Sequence, residues 1–178
     1  MSPFSYDDPS QDCRGYMRLI ESQWPKANDA PDDELMALIE RAVDKCPHLP
    51  ELWMMRADLV ALHLSQTRGK ASPYRRDDVL QSLEAAARIR PDYIEAHEAV
   101  AEFCENELKD MPAAEAAYGR AIGLGGGPWV YTGLARVLAR QGNLAQALAA
   151  LDPEFCPYHD EPEVQQAQQL LHDGIYDL

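Results

Sequence analysis

Residues 84–101 read Glu84-Ala85-Ala86-Ala87-Arg88-Ile89-Arg90-Pro91-Asp92-Tyr93-Ile94-Glu95-Ala96-His97-Glu98-Ala99-Val100-Ala101. Two helical patterns meet here at a proline. Upstream, Asp77-Asp78 opens an apolar run through Val79, Leu80, Leu83, Ala86, Ala87 and Ile89. Its spacing puts those side chains on one helical face, and the acids suit the positive end of the helix. Pro91 stops it, because proline lacks an N–H and its ring clashes with a continuing helix. Tyr93 to Asn106 then reads as the next helix.

The same phrase recurs. Glu40-Arg41-Ala42-Val43-Asp44-Lys45-Cys46-Pro47 stands before it, and Gly119-Arg120-Ala121-Ile122-Gly123-Leu124 after it. Each has Ala at the same place, and the first two phrases end on Pro. Six residues after Pro47 comes Trp53, and six after Pro91 comes His97. Further helices are expected from Asp32 to Pro47, Glu51 to Leu64, Pro112 to Leu124, Trp129 to Arg140 and Asn143 to Leu151. The last is expected from Glu161 or Glu163 to His172. No stretch alternates apolar and polar residues as a strand requires.

This pattern resembles the tetratricopeptide repeat, a helix–turn–helix of about 34 residues with a large and then a small residue in helix A and an Ala-rich helix B ending near Pro. Trp53 and Ala57 take the large and small positions in one pair, and His97 and Ala101 in the next. Ala114, Tyr118 and Ala121 fit a helix B. Tyr131, Leu134, Ala135 and Leu138 fit a helix A, with Ala147 and Leu151 in its partner. The resemblance covers roughly residues 12–151. It implies an all-α solenoid of antiparallel helix pairs, about three to four repeats. Residues 161–173, apolar on one side and Gln-rich on the other, are expected to cap it. The expected organisation is a flexible segment 1–11 and a single domain 12–178, with an insertion loop 65–76 carrying Arg68, Lys70, Arg75 and Arg76 and no acid.

In this family the A helices line a concave face that receives protein segments. The resemblance assigns that face to Glu51, Met54, Met55 and Asp58, to Glu95, Glu98, Glu102 and Glu105, and to Trp129, Thr132, Arg136 and Arg140. Between Pro91 and Tyr118 stand eight acids and one base, Lys109. Four of the acids, Glu95, Glu98, Glu102 and Glu105, follow i, i+3 and i+4 spacing and share one helix face. Such a stripe opposes the carboxylate clamp that part of the family builds from Lys, Arg and Asn. It favours a basic, partly apolar segment, with adaptable Met54 and Met55 and aromatic Trp129 beside it.

Composition sets the outer bounds. A net charge of −14 over 178 residues opposes nucleic acid, whose binding depends on Lys and Arg neutralising phosphates. No apolar run reaches the roughly 20 residues of a membrane helix. No signal peptide is visible, so a cytoplasmic location is expected. Cys13, Cys46, Cys104 and Cys156 form no C-x-x-C pair and read as reduced, mostly buried thiols. No phosphate loop, dinucleotide turn or H-E-x-x-H is present. Cys156 with His159 is one pair and does not make a metal site. Neither catalysis nor a cofactor is expected.

The function expected is a protein-interaction module, adaptor or chaperone-like, holding a protein or peptide segment. In size and acidity the chain is similar to the small acidic tetratricopeptide chaperones of type III secretion. The alternatives are a structural subunit of a larger assembly, self-associating through the basic loop, and a regulator that masks a basic surface of an enzyme.

Overall fold

The computed structural model describes residues 13–26, 29–67 and 71–175, and the expected flexible segment 1–11 lies outside them. The described residues form helices and no strand. They belong to two compact units, Met1–Pro91 and Asp92–Leu178, so the division falls at the proline that stops the 84–91 phrase.

The first unit holds α1 (Cys13–Ser22), α2 (Asp33–Lys45), α3 (Pro50–Gln66) and α4 (Arg76–Ile89). Asp32 caps α2 by accepting from the Leu35 N–H at 2.8 Å. Pro50 sits in the first turn of α3, where a missing N–H costs nothing. The Asp78 carboxylate accepts from the Arg75 N–H at 2.7 Å and fixes the start of α4. Ile20, Leu35, Ile39, Leu52 and Leu59 form the core, and small Ala57 and Ala86 are buried with them. Small residues let helix axes approach closely, which is what the recurring alanines provide. Arg56 ties three helices together. It donates to both Glu40 oxygens at 3.0 and 3.1 Å, to the Asp78 carbonyl at 3.1 Å and to Ser82 Oγ at 2.6 Å.

The cysteine reading needs correction in this unit. Cys13 and Cys46 are joined by a disulfide, with Cα atoms 5.8 Å apart across 33 residues of sequence. Packing of α1 against α2 brings them together, and sequence spacing carries no sign of that packing. Cys104 and Cys156 are buried and form no disulfide, as expected.

The second unit holds α5 (Ile94–Phe103), a π-helical turn (Cys104–Leu108), α6 (Met111–Gly123), α7 (Pro128–Arg140), α8 (Leu144–Ala150) and α9 (Pro162–His172). Asp110 caps α6 through the Ala113 N–H at 3.1 Å. Asn143 stands at the N-cap of α8 and makes no such side-chain bond. Val164, Ala167 and Leu171 bury one face of α9, while Gln165, Gln166 and Gln169 stay exposed, so the helix has the two faces of a terminal cap. Gln168 departs from the expected outer face and donates to the Leu151 carbonyl at 2.6 Å.

A tight approach lies between α6 and α7. A Cβ on Gly133 would stand 2.5 Å from Tyr118 Cζ. Tyr118 is fully buried and has no room to yield. Gly133→Ala is therefore expected to destabilise the chain by about 1–3 kcal/mol, the range for overpacked cores. Urea unfolding checks this, and an unchanged midpoint would contradict it.

Candidate functional site

The acidic face begins on α5. Glu95 and Glu102 are exposed, and Glu98 lies between them, only 9 % exposed. Among the described residues no cation pairs with Glu98. Burial, and then the charges of Glu95 and Glu102, push its carboxyl from 4.5 up to about 7. The repulsion follows from i, i+3 and i+4 spacing on one helix, which places like charges a turn apart.

Glu105 behaves differently. It is 0 % exposed, turned inward by the π-helical turn that follows α5. Its carboxylate accepts from Arg136 Nε and, at 2.7 Å, from Arg136 Nη2. Arg140 Nη1 donates to it at 2.8 Å and the Tyr118 hydroxyl at 3.0 Å. Of the eight acids in this stretch, Glu105 is thus neutralised inside the unit. Arg136 and Arg140 serve it, and their charge does not complete an open surface. Glu105, placed by the sequence reading on the binding face, is thus fully buried, while Arg136 remains partly exposed beside it. Arg136 holds its proton more firmly than usual, chiefly through its hydrogen bond to Glu105.

A signal for this turn exists in the sequence. Ala135 and Ala147 are 12 residues apart, whereas Ala101 and Ala114, in the matching places, are 13 apart. One extra residue inside a helix is what a π turn absorbs, and such turns recur at functional sites. Lys109 closes the turn in a left-handed conformation, φ 57°.

The remaining residues assigned from the sequence fall in mixed settings. Trp129 stands on the first turn of α7, 38 % exposed. In the first unit, Met54 and Met55 are half-buried on α3 and Asp58 is exposed. Glu51 is paired with Arg90. Burial raises the Glu51 carboxyl, but backbone and Arg90 N–H donors and the Arg90 charge outweigh it and leave the group below its usual value. Glu51 and Arg90 also line a pocket of about 410 Å³ with Arg14 and Arg18. The surroundings of Glu51 are therefore not uniformly acidic. Asp160 pairs with His159 Nε2 at 3.3 Å, and burial raises the Cys156 thiol. Among the described residues no three His, Cys, Asp or Glu side chains are grouped as metal ligands would be.

The Glu98 environment has a measurable consequence. A carboxyl raised in the folded state favours folding while protonated, below its unfolded value near 4.5, and that contribution is lost as pH rises through about 7. Glu98→Gln is expected to match the parent at about pH 4 and to exceed it at about pH 8 by about 1–2 kcal/mol after solvent screening. Urea unfolding at the two pH values checks this; a difference that does not change with pH would refute it.

No protein-family model and no curated protein sequence matches the chain. Solved structures do. The crystal structure of MamA protein matches with a TM-score of 0.68 at 17 % identity, over 95 % of this chain and 85 % of that one. A thermophilic TPR protein of Thermus thermophilus matches with a TM-score of 0.56 at 17 % identity, over 93 % of this chain and 79 % of that one. At such identities the likeness speaks for architecture alone. Together with the helix pairs above, it shows that the chain has a tetratricopeptide-like, all-α helical-repeat fold.

Proposed function

We propose that the chain is a protein-interaction module, adaptor or chaperone-like, that holds a basic, partly apolar segment of a partner on the acidic face of α5. The observation that carries this reading is Glu98: a largely buried glutamate, flanked by Glu95 and Glu102 and facing no cation among the described residues. Such a group is costly in the unbound protein. A lysine or arginine supplied by a partner would relieve that cost and would gain a charge-assisted bond in a low-dielectric setting. Glu95 and Glu102, both exposed, would steer the approach of a positive segment.

The test begins with a partner found by pull-down and mass spectrometry, then measured by titration with the purified protein. Glu98→Lys combined with Glu102→Lys is expected to weaken its binding by at least tenfold at low salt, about 1.4 kcal/mol. Binding is also expected to release protons between pH 5 and 7, because the partner's charge would ionise Glu98. That release is read by calorimetry in buffers of different ionisation enthalpy. A partner whose affinity survives the double reversal at low salt would disprove the acidic-face reading.

A further inference from the structure

The end of the second unit carries a recess that the α5 face does not use. The B helices α2, α4 and α6 run 13, 14 and 13 residues, but α8 runs only 7. After Leu151 the chain leaves the helix at Asp152-Pro153 and turns towards α9. Beside that turn a pocket of about 680 Å³ opens between Leu134 and Leu138 of α7 and Ala149 and Ala150 of α8. That size falls within the roughly 300–1,000 Å³ of pockets that hold discrete ligands. Phe155 forms its outer wall. It packs edge-on against Tyr131, with ring centroids 5.9 Å apart, yet 52 % of it faces solvent. A large aromatic held in place and left wet marks a contact surface more than a core.

Charge narrows what fits. The apolar wall is edged by Asp152 and Glu154, and among the described residues no Lys or Arg lines the pocket. Asp152 also accepts from the Glu154 N–H at 3.0 Å, which fixes the turn bearing both acids. Residues 92–178 contain fifteen acids and four bases, and two of those bases, Arg136 and Arg140, are held by Glu105. The chain's own ends match poorly: residues 1–12 carry three acids and no base, and residues 176–178 carry Asp177.

We propose that this recess is a second docking site, which takes apolar anchor residues of a foreign protein segment flanked by lysine or arginine. The anchors fill the space beside Leu134, Leu138 and Phe155, and the flanking cations meet Asp152 and Glu154. This site is independent of the α5 face: either can fail without the other.

The experiment uses the full chain, labelled with nitrogen-15, and two synthetic peptides. One is Lys-Lys-Leu-Leu-Phe-Lys-Lys; the other has glutamate in place of every lysine. The lysine peptide is expected to shift the amides of Leu138, Ala149, Ala150 and Phe155 at low salt, and the glutamate peptide to bind at least tenfold more weakly. Ala149→Trp, which fills the recess, and Glu154→Lys, on an exposed turn, are each expected to weaken by at least tenfold the binding read from these pocket amides. Glu98→Lys with Glu102→Lys is expected to leave these pocket shifts in place. The proposal is overturned if the two peptides bind alike or if the shifted amides cluster on α5 instead. It is equally overturned if Glu154→Lys, with its own spectrum unchanged, leaves the affinity as it was.

Discussion

In urea unfolding, Glu105→Ala is expected to lose about 3–5 kcal/mol, the cost of breaking a buried ion pair from one side. The carboxylate is fully buried and satisfies donors from Arg136, Arg140 and Tyr118 at once. Its removal leaves two partly buried guanidinium groups without that acceptor and a buried hydroxyl without its own. Glu105→Gln keeps the shape and an acceptor oxygen but not the charge, and is expected to fall between. Adding Arg136→Met to Glu105→Ala removes one of the guanidinium groups that lose this acceptor and is expected to recover part of the loss. A double-mutant cycle reads that coupling directly. Tyr118 gives a second, spectroscopic reading. Its phenol is raised above the ordinary value by burial first and then by the Glu105 charge, so its ultraviolet titration is expected to move to lower pH in the variant. Full stability in Glu105→Ala would mean that the cluster is ornamental, and with it the inward role assigned to the π-helical turn.

The helix pairs are legible in the sequence because their signals are local. Pro47 and Pro91 end helices, Asp32 and Pro112 begin them, and Ala42, Ala86 and Ala121 repeat at the place where two helices touch. Each of those signals acts within one turn of chain. The site is legible only in part. The α5 stripe of Glu95, Glu98 and Glu102 can be read from periodicity, because a shared helix face follows from spacing alone. Glu105 cannot be, since one inserted residue turns its side chain from the stripe to the interior, and periodicity carried through the insertion assigns it wrongly. Arg136 and Arg140 likewise read as surface charge, because their partner lies 31 and 35 residues away. The pocket beside Phe155 escapes a sequence reading for a different reason. It is formed by side chains of α7, α8 and the turn after Leu151, which no local signal groups together. The Cys13–Cys46 bond is hidden because scattered cysteines suggest reduced thiols, while pairing depends on where α1 packs.

That bond yields the other large effect. Cys13→Ser is expected to lower stability by about 3–4 kcal/mol, the loop-closure value for a link spanning 33 residues. The reason the effect concentrates on α1 is its size. Ten residues are too few for a helix to persist alone in water, and only Tyr16 and Ile20 of α1 are fully buried. Without the bond, those two side chains must hold α1 against its conformational entropy, which costs about 1–2 kcal/mol per residue. Hydrogen exchange is therefore expected to show α1 opening first in Cys13→Ser or under reductant, with α3 and α4 still protected. Thiol titration in denaturant supplies the direct check: two reactive thiols, Cys104 and Cys156, before reduction and four after. Four thiols without reductant would refute the bond. The same titration on protein taken from its native compartment bears on location, since such a bond persists in oxidising surroundings and is rare in the cytosol. Two thiols there would count against the cytoplasmic location expected from the sequence, whereas four would mean that packing alone holds α1 on α2 in the working protein.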